Sequence, residues 1–223
     1  IVTIVIIFIS IYSCGIGILK YLKFEGESDS FFIVLTGYVF VGIISLSVHF
    51  FFPINNFFSL AIFLISILFC LQNFKKIFQK EIISLLIVIV FCGLLLLAYS
   101  DHPIDTNMYH HPYVSYLKSE KIIFGLANIE FRFGHISFLQ YVQAAYTNSF
   151  LHKTSLASIN IILYLSFIFV VSKKVISSKN FDYIFLVRLF LLSFFLLKLN
   201  RYREFGNDLI PLLVGCYFFI KIL

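Results

Sequence analysis

At 223 residues, 61% hydrophobic and 13% charged, with a mean hydropathy of +0.99, the chain is too apolar for a water-soluble domain and far too apolar for a disordered one. Its net charge of +6 is distributed among short connections rather than gathered on one folded face, which sets nucleic acid aside as a partner. What remains is an all-α polytopic membrane protein.

Apolar runs with few or no charges occupy roughly residues 1–19, 31–52, 57–72, 82–99, 155–172, 183–199 and 208–223. A spanning helix needs about 20 apolar residues, and these runs lack the alternation of a membrane barrel, so about seven transmembrane helices are predicted. The third and seventh runs are short. The chain starts and stops inside apolar runs and its only methionine is Met108, so it reads as a single transmembrane domain, 1–223, taken from a longer protein. Cys14, Cys70, Cys92 and Cys216 fall in four different runs with no C-x-x-C spacing and are expected to be small core residues.

The connections after the first, third and fifth runs carry eight lysines: Lys20, Lys23, Lys75, Lys76, Lys80, Lys173, Lys174 and Lys179. The connection from Pro53 to Asn56 carries no basic residue. The positive-inside rule therefore places the lysines in the cytoplasm, and a large extracytoplasmic loop, 100–154, on the far side of the membrane. Within the spans little ionises. Arg188 is expected to snorkel to the cytoplasmic surface and His49 to lie at the outer one. Carboxylates at mid-membrane, the expected mark of an ion-coupled transporter, are missing from these runs.

The loop concentrates chemistry. It holds five of the six histidines, together with Asp101, Asp105, Glu120 and Glu130. Two short interfacial helices are predicted within it, Thr106–Leu117 and Ser137–Asn148. In the first, Tyr109, Tyr113 and Tyr116 share a face suited to anchoring at headgroup level, and Pro112 would kink or split it. Asp105 stands at its N-cap, where a carboxylate stabilises a helix by about 1 kcal/mol. The same carboxylate, near a low-dielectric boundary with Tyr109 one turn on and His110 beside it, has the properties of a general base. Asp101, Asp105, His102 and His110 are ligand types for a divalent metal, although Pro103 intervenes and adjacent His110 and His111 point to different faces. A serine hydrolase is disfavoured because no G-x-S-x-G elbow is present.

The stretch Asp105-Thr-Asn-Met-Tyr-His-His-Pro, followed by Gly125-Leu-Ala-Asn-Ile-Glu-Phe-Arg-Phe-Gly134, resembles the D-x-x-x-Y-H... G-L-x-N-x-x-x-R-x-G motif of a family of bacterial polytopic membrane proteins similar to GT-C class glycosyltransferases. Arg201-Tyr-Arg-Glu-Phe-Gly-Asn-Asp208 resembles that family's R-x-x-E-x-G-x-D segment. The resemblance implies transfer of a sugar from a polyprenyl-phosphate carrier to a cell-envelope glycan or lipid acceptor. It implies a catalytic group of Asp105, Tyr109 and His110, with Asp105 taking the proton of the acceptor hydroxyl. Arg132, Arg201 and Arg203 would hold the lipid phosphate in charge-assisted hydrogen bonds, with Glu204 and Asp208 in the same substrate-binding turn. No cofactor is firmly implied, though a divalent metal is compatible with it. In better-known GT-C enzymes the acidic loop follows the first helix; here four precede it. Two alternatives come from other classes: a lipid-linked oligosaccharide transporter or flippase, and a non-catalytic membrane assembly subunit.

Overall fold

The computed structural model describes residues 2–98, 106–128, 131, 137–148, 151, 155–199 and 209–222. These residues fold into helices, with no strand among them. In chain order they are α1 (Val2–Tyr21), α2 (Ser30–His49), α3 (Asn56–Gln72), the one-turn α4 (Phe74–Ile77), α5 (Lys80–Ala98), a π-helical turn (Thr106–His110), α6 (His111–Ser119), a 3-10 turn (Leu126–Asn128), α7 (Phe138–Tyr146), α8 (Ser155–Ser177), α9 (Tyr183–Leu197) and α10 (Leu209–Ile222).

Four of these helices, at Val2–Tyr21, Ser30–His49, Lys80–Leu97 and Ala157–Ser177, are long and apolar enough to cross a membrane. Shorter apolar helices occupy the remaining expected runs at Asn56–Gln72, Tyr183–Leu197 and Ile210–Ile222. Their starts are written in the sequence. The Asp29 carboxylate accepts from the Phe32 amide at 3.0 Å, the Asn55 side chain from the Phe57 and Phe58 amides at 3.1 and 3.2 Å, and Asp182 from the Phe185 amide at 2.8 Å. Several hydroxyls within the helices bond back to carbonyls one turn earlier, as Ser45 does to Val41 and Ser166 to Ile162, and so need no water.

The helices share one apolar core, with α1, α2 and α8 at its centre. The crossing of α1 and α2 is set by glycine. A Cβ on Gly15 would fall 2.0 Å from the Ile33 carbonyl oxygen, and one on Gly37 would fall 1.9 Å from that of Ile11. Small residues at such crossings let backbones approach closely, which matters most where apolar solvent supplies little drive for helices to associate.

One end of the bundle gathers the lysines. Lys173 pairs with Glu81 at 2.6 Å, while Lys221 and Lys174 approach Asp29 at 3.1 and 3.9 Å. Asp29 also accepts from the Tyr217 hydroxyl at 3.0 Å, so one carboxylate caps α2 and ties it to α8 and α10. Arg188 belongs to this charged end. The residue is half-buried, with its Nε buried and without a hydrogen-bond partner among the described residues. The cysteines are unpaired. Cys14 is buried as expected, but Cys92 is exposed on α5, outside the core.

The largest departure from expectation is α7. Instead of lying on a surface, it runs across the bundle and is buried on every side from Leu139 to Tyr146. Phe138 packs against Tyr38 and Gly42 of α2 at one end. At the other, the Tyr146 hydroxyl lies 2.9 Å from that of Ser10 in α1, and its ring meets Phe63 of α3. Ser10 is about 12 Å along α1 from Val2, at 1.5 Å per residue, so α7 reaches deep into the core. An apolar nine-residue segment with two glutamines is amphipathic toward headgroups or toward protein alike, and here the cradle of α1, α2, α3 and α8 takes it.

Candidate functional site

At the end of the bundle opposite the lysines, α6 and the residues that follow it pack against the α2–α3 connection. The first helix expected there is split in two. A π-helical turn ends at His110, and α6 begins at His111 with Pro112 in its first turn, where a missing amide proton costs nothing. Backbone hydrogen bonds stitch α6 and its C-terminal strand of loop to the α2–α3 connection: Ile54 donates to Leu117 at 2.8 Å and Ile122 to His49 at 3.1 Å. The Lys118 ammonium donates to the Thr147 carbonyl beyond α7, and burial pulls its pKa below the ordinary lysine value.

Of the tyrosine stripe, Tyr113 turns into protein, while Tyr109 and Tyr116 stay partly exposed. Tyr113 is buried and Tyr116 half-buried. The Tyr116 hydroxyl donates to the Lys121 carbonyl at 2.9 Å and accepts from the Ile123 amide at 2.8 Å, pinning the loop that follows α6. The Tyr113 and Tyr141 hydroxyls are hydrogen-bonded to each other. Burial raises the pKa of all three phenols above the ordinary tyrosine value.

His49 completes this cluster. It is fully buried, with Nε2 3.0 Å from the Glu120 carbonyl and Nδ1 3.0 Å from the Tyr141 hydroxyl. A carbonyl only accepts, so Nε2 carries the proton. In the neutral ring Nδ1 then accepts from Tyr141. Tyr116 and Tyr141 both meet the imidazole edge to face, at 6.0 and 5.4 Å. His49 is thus a fully bonded interior residue and not the interfacial one expected. The available signal was a lone histidine one turn before Pro53 in an otherwise apolar run; its partner is 92 residues away.

The residue beside Tyr141 holds the second histidine. Gln140 Nε2 donates to His110 Nδ1 at 3.2 Å, which puts the His110 proton on Nε2. The His110 ring is buried and lies against the half-exposed ring of Tyr109, centroids 4.2 Å apart and tilted by 46°. Adjacent residues of one buried helix therefore orient both imidazoles. Asp105, Arg132, Arg201, Arg203, Glu204 and Asp208 lie outside the described residues, as do Asp101 and His102 of the candidate metal set. Among the described residues no group of three or more histidine, cysteine or acidic side chains is placed to hold a metal. The G-L-x-N block is described and builds a turn. Gly125 has φ +84, a value that favours glycine, and the Asn128 amide donates back to its carbonyl at 2.9 Å.

These features define an integral membrane protein, all-helical, with a hydrogen-bonded histidine–tyrosine cluster buried beneath one end. The chain belongs to the family of the domain of unknown function DUF8201, whose model matches residues 1–223. No curated protein matches it, and neither does any solved structure.

Proposed function

We propose that this protein is a GT-C-like membrane glycosyltransferase that moves a sugar from a polyprenyl-phosphate carrier to a cell-envelope glycan or lipid. In this reading all seven apolar helices span the bacterial inner membrane, the lysines face the cytoplasm, and the 100–154 loop works outside. The ion pairs joining the ends of α2, α5, α8 and α10 at one face support that alternation.

The observation that carries the reading is the anchoring of His110 by Gln140 on the buried α7. Asp105 is the residue immediately before the π-helical turn that ends at His110, so a general base at Asp105 would be followed within one turn by side chains locked from below. Asp105 takes the proton from the acceptor hydroxyl as that oxygen displaces the lipid phosphate at the anomeric carbon. Arg132, Arg201 and Arg203 would neutralise the departing phosphate, with Glu204 and Asp208 beside them. A carrier of this kind needs a greasy berth. An apolar cavity of about 490 Å³ lies between α1 and α3, walled by Ile6, Ile9, Leu60 and Phe63 and bordered by Asn148 and Leu151 of the loop.

The test is transfer by the full-length protein from radiolabelled polyprenyl-phosphate sugars into membrane acceptors. Asp105→Asn keeps an N-cap but removes the base, and is expected to lower transfer by about 10²- to 10⁴-fold. Transfer at the wild-type rate in this variant would exclude Asp105 as the base.

A further inference from the structure

The lysine end holds a second cavity, of about 620 Å³, between α1, α2 and the start of α5. Its outer wall carries Lys20, Lys23 and Lys76; deeper in, Ile16 and Ile33 line it. The ion pairs of this end engage Lys173, Lys174 and Lys221, and none of the three cavity lysines is among them. The cavity's two acids do not cancel them. Glu81 is already matched by Lys173, so three ammonium groups less the single carboxylate of Glu25 leave an excess of two positive charges.

Lys23 adds a backbone observation that points the same way. The Phe24 amide donates to the Leu19 carbonyl at 3.0 Å and the Lys23 amide to that of Lys20 at 3.1 Å, which is the hydrogen-bond pattern of a Schellman C-cap on α1. Lys23 occupies the left-handed position of that cap at φ 51, the only non-glycine residue among those described with positive φ. Glycine takes this conformation without the Cβ clash, so a lysine here bears a conformational cost that glycine would not. A strained residue that also lines a charged cavity is a mark of a functional position.

We propose that this cavity binds the phosphate headgroup of an anionic amphiphile, the lysines holding the phosphate oxygens and the Ile16–Ile33 wall receiving the first part of the apolar chain. The site lies at the opposite end of the bundle from the His49–Tyr141 cluster and stands whether or not the protein transfers sugars. Its source is a membrane phosphatidyl headgroup, since the cavity is polar at its mouth and apolar toward the bundle.

The test is the thermal unfolding midpoint of the purified full-length protein in detergent, titrated with phosphatidylglycerol, phosphatidylcholine or inorganic pyrophosphate. Phosphatidylglycerol should raise the midpoint more than phosphatidylcholine. Lys23→Gly should raise the lipid concentration needed for a given shift about fivefold, and Lys20→Gln with Lys76→Gln about 25-fold. Lys23→Gly should leave the lipid-free midpoint unchanged or higher, because glycine suits the cap, which separates lost binding from lost folding. A stronger response to pyrophosphate, lost in the same variants, supports phosphate recognition with a soluble ligand as its source. Equal responses to the two lipids, or equal phosphatidylglycerol affinity in wild type and both variants, would overturn the proposal.

Discussion

Gly15 and Gly37 face each other where α1 crosses α2, so closely that a Cβ on Gly37 would stand 2.9 Å from the Gly15 amide nitrogen and 1.9 Å from the Ile11 carbonyl oxygen. Backbone atoms cannot rotate aside as a side chain can, so any added carbon must push the helices apart. Gly37→Ala is expected to cost about 1–3 kcal/mol through overpacking. Gly215→Ala in α10, where a Cβ meets nothing within 4 Å, should be neutral or stabilising by up to about 1 kcal/mol from helix propensity. Paired unfolding curves in detergent check this, and equal midpoints for the two variants would contradict the crossing.

Tyr141→Phe removes the proton that His49 Nδ1 accepts and leaves a buried nitrogen without its partner. The expected loss is about 1–3 kcal/mol. Because His49 also holds the Glu120 carbonyl, and its own carbonyl accepts from Ile122, the loosening should spread into residues 120–123 and not stay in α7. Hydrogen exchange at the Ile122 amide reads this directly. Exchange as slow as in the wild type, with Tyr141 truncated, would mean the cluster does not hold the loop.

Alkaline pH should undo the same cluster. Burial raises the phenols of Tyr113, Tyr116 and Tyr141 above their ordinary value of 10.0, so the unfolded chain gives up these protons first. Their contribution to stability is complete below about pH 10 and is lost as pH rises toward the folded values. Absorbance near 295 nm should show this fraction of tyrosinate appearing together with loss of helical circular dichroism. If it appears well before the helices melt, the phenols are open to solvent.

Asp29 separates capping from ion pairing. Asp29→Asn keeps an acceptor for the Phe32 amide and for the Tyr217 hydroxyl while removing the charge that Lys221 and Lys174 approach; Asp29→Ala removes everything. The alanine variant should lose about 1 kcal/mol more than the asparagine variant, the usual worth of an N-cap. Midpoints measured at low and high salt divide the two parts, because only the ionic part is screened.

Much of the helical framework was legible because burying backbone in an apolar medium forces long uncharged runs into helices, and the caps at Asp29, Asn55 and Asp182 are local signals. Pro112 likewise announced the break between the π-helical turn and α6. The depth of α7 was not legible. Gln140, Tyr141 and Gln143 look like a wet face until α2, α6 and α8 are seen to cover them, and that depends on partners far away in the chain. His49 was misjudged for the same reason. Of the candidate catalytic group, Tyr109 and His110 are placed by the structure, whereas Asp105 and the 201–208 turn fall outside the described residues.

The crosswise course of α7 constrains the order in which the chain assembles. Nine residues carrying buried glutamines cannot enter lipid alone, since each uncompensated amide there costs several kcal/mol. The cleft that receives them is walled by α1, α2 and α3, which are synthesised earlier, and is closed by α8, which emerges afterwards. The cover over α7 is therefore complete only once α8 is in place, after the helices that wall the cleft.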